Sequence, residues 1–314
     1  MITIPCVLFS SCVTCCPPEN KDAPPVSEFR EISISVPSGE PCPTWHTPQR
    51  GKPVVLLHAL NGISPKTLEF AQEMARWGYR VYLPSLYGDC IEGQSPFGWD
   101  EALEAAKFLP DDPRWNIYGE NEGPGPVLDD VREVVRFVSR REGGRQVVVI
   151  GNCLTGSFPL ALLDEPAVDL AVLAQPAMPL LRDGQVIFRI PQRRIIAAST
   201  GLSDEQWHRT IAALKTNPDK RIIGFHYRND PLAPIWKFDT IHETLRNAGI
   251  SERFTAYVLA PGGMMYSRKR PDWVIGGVTK QQRTMITPHS TIINPVTKTD
   301  RDWFRKHLRK ELAR

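Results

Sequence analysis

The stretch of this chain best suited to covalent chemistry is Gly151-Asn152-Cys153-Leu154-Thr155-Gly156. It follows the most apolar run in the sequence, residues 146–150, and precedes a segment with helical character. A strand that turns sharply into a helix lifts the residue at the turn above the sheet. That turn requires small neighbours so that the lifted side chain meets no clash. Cys153 occupies it, and a helix N-terminus beneath the sulfur would favour the thiolate. The plain alternative is a small buried cysteine in a glycine-rich turn. A dinucleotide-binding turn fits less well, because Cys153 stands where glycine must admit a pyrophosphate.

A nucleophile of this kind needs a base and a group that orients the base. Asp230 lies in His226-Tyr227-Arg228-Asn229-Asp230-Pro231-Leu232-Ala233-Pro234, just after the apolar run 221–225. The loop there can hold an acid, although Asp-Pro is also an ordinary turn former. His289, in Pro288-His289-Ser290-Thr291, lies between the run 254–259, read as the last strand, and a final helix. The chain order Cys153, Asp230, His289 is the nucleophile–acid–histidine order of α/β-hydrolases. His58 reads as a residue that orders its loop. His226 lies too near a strand end to swing, and His307 falls on the charged side of the final helix. His208 and His242 fall on surface helices. Two backbone N–H groups should receive an oxyanion. One is that of Leu154, and the other comes from His58-Ala59-Leu60-Asn61-Gly62.

The elements that must position these groups alternate. Ile32, Ile34 and Val36 have the period of a half-buried strand, and 54–57 is continuously apolar, as a strand buried on both faces requires. Ser64-Pro65 opens a helix that Gly78 closes. Residues 81–83 form the next strand, and 100–108 a helix. Val131, Val134, Val135 and Val138 mark an amphipathic helix that ends at Gly143-Gly144. A helix over 154–163, a strand at 170–173, a helix at 235–247 and a final helix bearing Trp303, Phe304, Leu308 and Leu312 follow. Residues 37–50, with four prolines, read as loop, and 262–298 as mostly irregular. This alternation predicts a doubly wound, mostly parallel sheet with helices on both faces, the α/β-hydrolase fold. It forms one domain over residues 28–314, with insertions near 180–217 and 262–287.

Length and composition agree with that reading. The chain has 314 residues, 41% hydrophobic and 23% charged, and 38 basic side chains nearly balance 35 acidic ones. A dedicated binder of nucleic acid or of anionic membranes usually carries a basic excess. No apolar run is long enough to span a bilayer. Seven cysteines, four of them (Cys6, Cys12, Cys15 and Cys16) within the first sixteen residues, make a poor disulfide framework. They read as reduced thiols in the cytoplasm. The alternative is a truncated lipoprotein signal, which would mean lipid anchoring or export. Zinc binding is disfavoured, since no histidine lies near them.

The sequence resembles the dienelactone hydrolase family over roughly residues 52–314. The turn GNCLTG is similar to that family's G-x-C-L-x-G elbow, and 78–88, GYRVYLPSLYG, to its P-x-L-Y strand and loop. Residues 224–234, GFHYRNDPLAP, are similar to its acid-bearing segment. PHS at 288–290 and WFRKHL at 303–308 resemble its histidine and terminal helix. The resemblance implies a Cys153–His289–Asp230 triad, oxyanion donors at Leu60 and Leu154, cleavage of a small ester or lactone through a thioester, and no cofactor or metal. A thioesterase or acyltransferase with the same triad, or a binding protein that kept the fold, are the alternatives. The family's glutamate in the first loop is replaced here by Ala59, and its substrate-binding arginine has no secure counterpart.

Residues 1–27 are rich in proline and lack a periodic apolar pattern, so they read as a flexible segment. Their deletion should leave the thermal unfolding midpoint unchanged. A clear drop would show that the cysteine-rich segment packs on the domain.

Overall fold

The computed structural model describes residues 28–60, 62–87, 109–180, 198–228, 230, 233–261, 273–279, 292–293, 295 and 297–314. Among them, nine strands form one sheet: β1 (Arg30–Ile34), β2 (Cys42–His46), β3 (Lys52–Leu56), β4 (Tyr79–Pro84), β5 (Val147–Asn152), β6 (Val168–Ala174), β7 (Arg221–Tyr227), β8 (Phe254–Pro261) and β9 (Val274–Thr279). Their spatial order is β1-β2-β4-β3-β5-β6-β7-β8-β9. β1 pairs antiparallel with β2 and β2 antiparallel with β4, while every pair from β4 to β9 is parallel. The expected doubly wound, mostly parallel sheet is therefore present.

Helices α1 (Pro65–Arg76), α2 (Val127–Arg141), α3 (Phe158–Ala161), α4 (Asp204–Thr216), α5 (Trp236–Asn247) and α6 (Lys298–Leu312) cover both faces. Side chains alternate across a strand, so adjacent residues of one strand feed opposite layers. Val54, Leu56, Val148, Ile150, Val172 and Phe225 pack toward α1 and α6, with Phe70, Met74, Phe304 and Leu308. Val55, Val147, Val149, Ala171 and Leu173 pack toward α2 and α5, with Val131, Val135, Phe238 and Ile241. Both layers need apolar side chains, which is why the central strands read as unbroken hydrophobic runs.

Local signals account for several boundaries. Ser64 caps α1 by accepting the Thr67 N–H, and Gly78, at φ 94°, follows its last turn. α6 is fastened to α1 by Arg305. Its guanidinium lies 3.8 Å from the centre of the Phe70 ring, and its Nε donates to Glu73 Oε2 at 2.8 Å.

Three expectations are corrected. Residues 42–46, read as part of a proline-rich loop, form β2, held between β1 and β4. β8 is not the last strand, because β9 arises within the stretch read as irregular and pairs with β8 from Ala256↔Val274 to Pro261↔Thr279. The helix expected over 154–163 is a single 3₁₀ turn (Cys153–Thr155) followed by the one-turn α3. Within 180–217, where short helices are expected, α4 is a thirteen-residue helix that buries Thr210 and Leu214. The helix read at 100–108, the segment 1–27 and much of 262–287 lie outside the described residues.

Lys237 is a fully buried lysine in the first turn of α5. Its Nζ donates to the carbonyls of Met178 at 3.0 Å and Ser199 at 2.6 Å. Burial lowers its pKa from 10.5 to about 7. A neutral amine still has two protons for these two acceptors. In the unfolded chain the lysine keeps its proton to higher pH, so the unfolded state binds more protons between pH 7 and 10. Stability therefore rises with pH in that window. Relative to Lys237→Met, the native protein should gain about 2 kcal/mol of unfolding free energy between pH 7 and 9. Parallel stability curves for the two proteins would contradict this.

Candidate active site

β3 sits between β4 and β5, so successive strands depart from it in opposite directions. Ligands of open α/β sheets bind beyond the carboxyl ends of the strands at such a switch. Cys153 follows β5 at this point, with the β3 exit on one side and the β6 exit on the other.

The Cys153 backbone is left-handed, with φ 53°. For a residue with a Cβ this costs roughly 1–2 kcal/mol, and such strain concentrates at functional sites. Two glycines allow the turn to close. A Cβ on Gly151 would lie 2.2 Å from the Thr155 carbonyl oxygen, and one on Gly156 would lie 2.4 Å from Pro176 Cα. The Cys153 carbonyl accepts the N–H groups of Gly156 at 3.0 Å and Ala177 at 2.9 Å. Cys153 is a free cysteine and half-buried. Because only a 3₁₀ turn and α3 follow, the expected helix-dipole support for a thiolate is slight.

The turn is joined to the β3 exit by side chains of its own motif. Asn152 Nδ2 donates to the Leu57 carbonyl at 3.1 Å. Thr155 Oγ1 accepts the Asn152 N–H at 3.1 Å and lies 3.0 Å from the His58 carbonyl, to which it can donate. Asn152 and Thr155 are site residues that the sequence reading left without a role. The signal was their place inside the elbow motif itself.

His58 orders the loop, as expected. It is fully buried, and burial lowers its pKa to about 4, so its ring is neutral. Its Nε2 accepts the Leu86 N–H at 3.0 Å, which puts the ring proton on Nδ1, 2.8 Å from the Ala59 carbonyl. The same carbonyl accepts the Gly62 N–H at 3.0 Å, and Gly62 is left-handed at φ 65°. With both ring nitrogens engaged, His58 has no site left for proton transfer. In a trans peptide the N–H opposes the C=O, so pinning the Ala59 carbonyl also fixes the direction of the Leu60 N–H. Tyr87, from the P-x-L-Y motif, donates its hydroxyl to the Leu60 carbonyl at 2.8 Å and lays its ring 4.6 Å from that of His58.

Asp230 is buried at the β7 exit. Its Oδ1 accepts the Ala233 N–H at 3.1 Å, and its Oδ2 accepts Nε2 of Gln175. Gln175 follows β6 and leads directly to Ala177, which holds the Cys153 carbonyl. Residues 175–177 therefore connect Cys153 to Asp230. His289 lies outside the described residues. Of the other histidines, His226 is buried edge-on against Phe238, and His208 is exposed on α4. His242 stacks on Trp273. His307, expected on the charged side of the final helix, is half-buried. Its ring packs at 4.5 Å against both Tyr257 and Trp303.

The sequence profile of the dienelactone hydrolase family matches residues 42–262. The chain belongs to the dienelactone hydrolase family. The match begins at β2, earlier than residue 52, and ends before His289 and α6. No curated protein sequence matches the chain. Similar solved structures include a putative dienelactone hydrolase from Klebsiella pneumoniae subsp. pneumoniae MGH 78578, 16% identical, covering 74% of this chain and 85% of that one with a TM-score of 0.42. An esterase of Pyrococcus furiosus is 14% identical over 74% and 83%, with a TM-score of 0.48. A dienelactone hydrolase-like promiscuous phosphotriesterase from metagenomic libraries is 12% identical over 74% and 82%, with a TM-score of 0.46. Among the described residues, no cluster of His, Cys, Asp and Glu could hold a metal ion, and no helix is long and apolar enough to cross a membrane.

Gly156→Ala should lower the urea midpoint, by a loss of about 1–3 kcal/mol, because the new methyl would be forced against the Pro176 backbone. An unchanged midpoint would mean that the elbow and the β6 exit can separate freely.

Proposed function

We propose that this dienelactone hydrolase family member cleaves small carboxylic esters or lactones, with Cys153 as nucleophile, His289 as base and Asp230 as the acid that orients the base. The observation that carries the reading is the left-handed backbone of Cys153 between Gly151 and Gly156 at the switch point of the sheet. Burial and two N–H donors at Asp230 support its role. His289 takes its role from its position in the sequence.

In this scheme Cys153 Sγ attacks the carbonyl carbon, and the thiol proton passes to His289. The carbonyl oxygen becomes an oxyanion facing the N–H groups of Leu60 and Leu154. Collapse re-forms the C=O and breaks the C–O bond, and the departing alkoxide takes the proton from His289. Water then attacks the thioester, giving a proton to His289. The sulfur leaves and is reprotonated as the carboxylic acid departs. A lactone keeps both products in one molecule. The loop that would present Leu60 is held through His58 and Tyr87 before any substrate arrives, so little reorganisation is needed as charge develops.

Nitrophenyl acetate provides the test. Cys153→Ala should reduce its turnover to the uncatalysed rate. His289→Ala should lose roughly 10²–10⁴-fold in kcat/KM, the usual share of general acid–base catalysis. Full turnover in Cys153→Ala would overturn the thiol mechanism.

A further inference from the structure

Gln175 has an environment that its place in the sequence does not announce. It directly follows β6, is 1% exposed, and adopts φ 48°. Apart from Cys153, it is the one non-glycine residue with positive φ among the described residues. Glutamine has no special tolerance for that conformation, so the surrounding structure must impose it.

The hydrogen bonds show what imposes it. The Gln175 N–H donates to the Phe225 carbonyl at 3.1 Å. Its side-chain Oε1 accepts the Tyr227 N–H at 2.6 Å. Since Oε1 is an acceptor there, Nε2 must be the atom that faces Asp230 Oδ2. The amide cannot flip without placing NH₂ against N–H and oxygen against carboxylate. Two residues on, the Ala177 N–H holds the Cys153 carbonyl, and Pro176 packs against Gly156 closely enough to exclude a Cβ there.

We propose that Gln175 is a positioning residue of the active site: its amide holds Asp230 as an oriented carboxylate and couples the acid to the nucleophile elbow through Pro176 and Ala177. This rests on the reading of Cys153 and Asp230 given above and adds a residue to it. A donor on Oδ2 favours the ionised acid, and the Ala233 N–H on Oδ1 fixes the rotation of the carboxylate. Gln175 touches neither substrate nor reacting atoms. It acts through Asp230, so its removal should lower kcat more than it changes KM.

Two variants separate positioning from mere support. Gln175→Met removes the donor. It should lower kcat for nitrophenyl acetate by 10–100-fold, with KM within threefold. Gln175→Glu keeps an acceptor for the Tyr227 N–H, so it preserves the fold if the methionine variant does not. It donates to Asp230 only while the pair retains a shared proton. As pH rises that proton is lost and two carboxylates face each other. Gln175→Glu should therefore show an alkaline fall in kcat/KM, at least tenfold by pH 9, that the native protein and Gln175→Met lack. The Asp230 carboxyl, followed by carbon NMR titration and assigned with Asp230→Asn, should titrate at higher pH in Gln175→Met than in the native protein.

Native kinetics in Gln175→Met would overturn the proposal, as would equal losses in both variants with an unchanged pH profile. A native protein with no esterase turnover, or an active Cys153→Ala, would defeat the functional reading instead. The Asp230 titration would then still decide whether Gln175 holds the acid, and an unmoved titration would refute it.

Discussion

The carboxyl edge of the sheet depends on one backbone reversal, the left-handed turn at Cys153. It forms because neither Gly151 nor Gly156 has a Cβ, and either Cβ would drive atoms to within about 2.5 Å of backbone. The strain of roughly 1–2 kcal/mol is small beside the buried layers on each side of β5, whose six residues are all buried. A rigid centre thus sustains a local conformation that an isolated peptide would reject. The same reversal turns the Cys153 carbonyl toward Gly156 and Ala177.

The neighbouring strand exits are tied to that turn rather than standing independently. Asn152 and Thr155 reach across to the β3 exit, where His58 and Tyr87 hold the two carbonyls on either side of the Leu60 residue. On the other side, residues 175–177 reach from the elbow to Asp230 two strands away. Nearly all of these contacts use backbone carbonyls as acceptors. The side-chain donors therefore meet acceptors whose positions are set by strand spacing and register, and the sheet itself sets the distances between the groups.

Much of this was legible in the sequence for physical reasons that can be named. Strands buried on both faces must be apolar throughout, so β3, β5 and β6 stood out. The small residues around Cys153 marked the elbow, and His58 at a strand end indicated a structural histidine. β2 was hidden because proline at Pro37, Pro41, Pro43 and Pro48 reads as a breaker, yet partners on both sides recruit the segment into the sheet. The paired glycines in Val274–Thr279 concealed β9 in the same way, and tertiary pairing overrides local propensity there. Gln175 was invisible for a different reason. Gln-Pro after a strand reads as a turn, and its partner Asp230 lies 55 residues away. His307 was misassigned because helical periodicity does not reveal the aromatic rings of Tyr257 and Trp303 beside it.

The buried amine of Lys237 has a consequence for how such a chain can vary. It grips the Met178 and Ser199 carbonyls together, so these two points of the chain, 21 residues apart in sequence, are clasped by one side chain. The entropy of closing a loop grows only with the logarithm of its length. With both ends clasped, the number of residues between them can change with little effect on β6, α4 or the turn at Cys153. The sheet and the turn at Cys153 then form a fixed chassis, and the length of chain between Met178 and Ser199 is free to change without disturbing it.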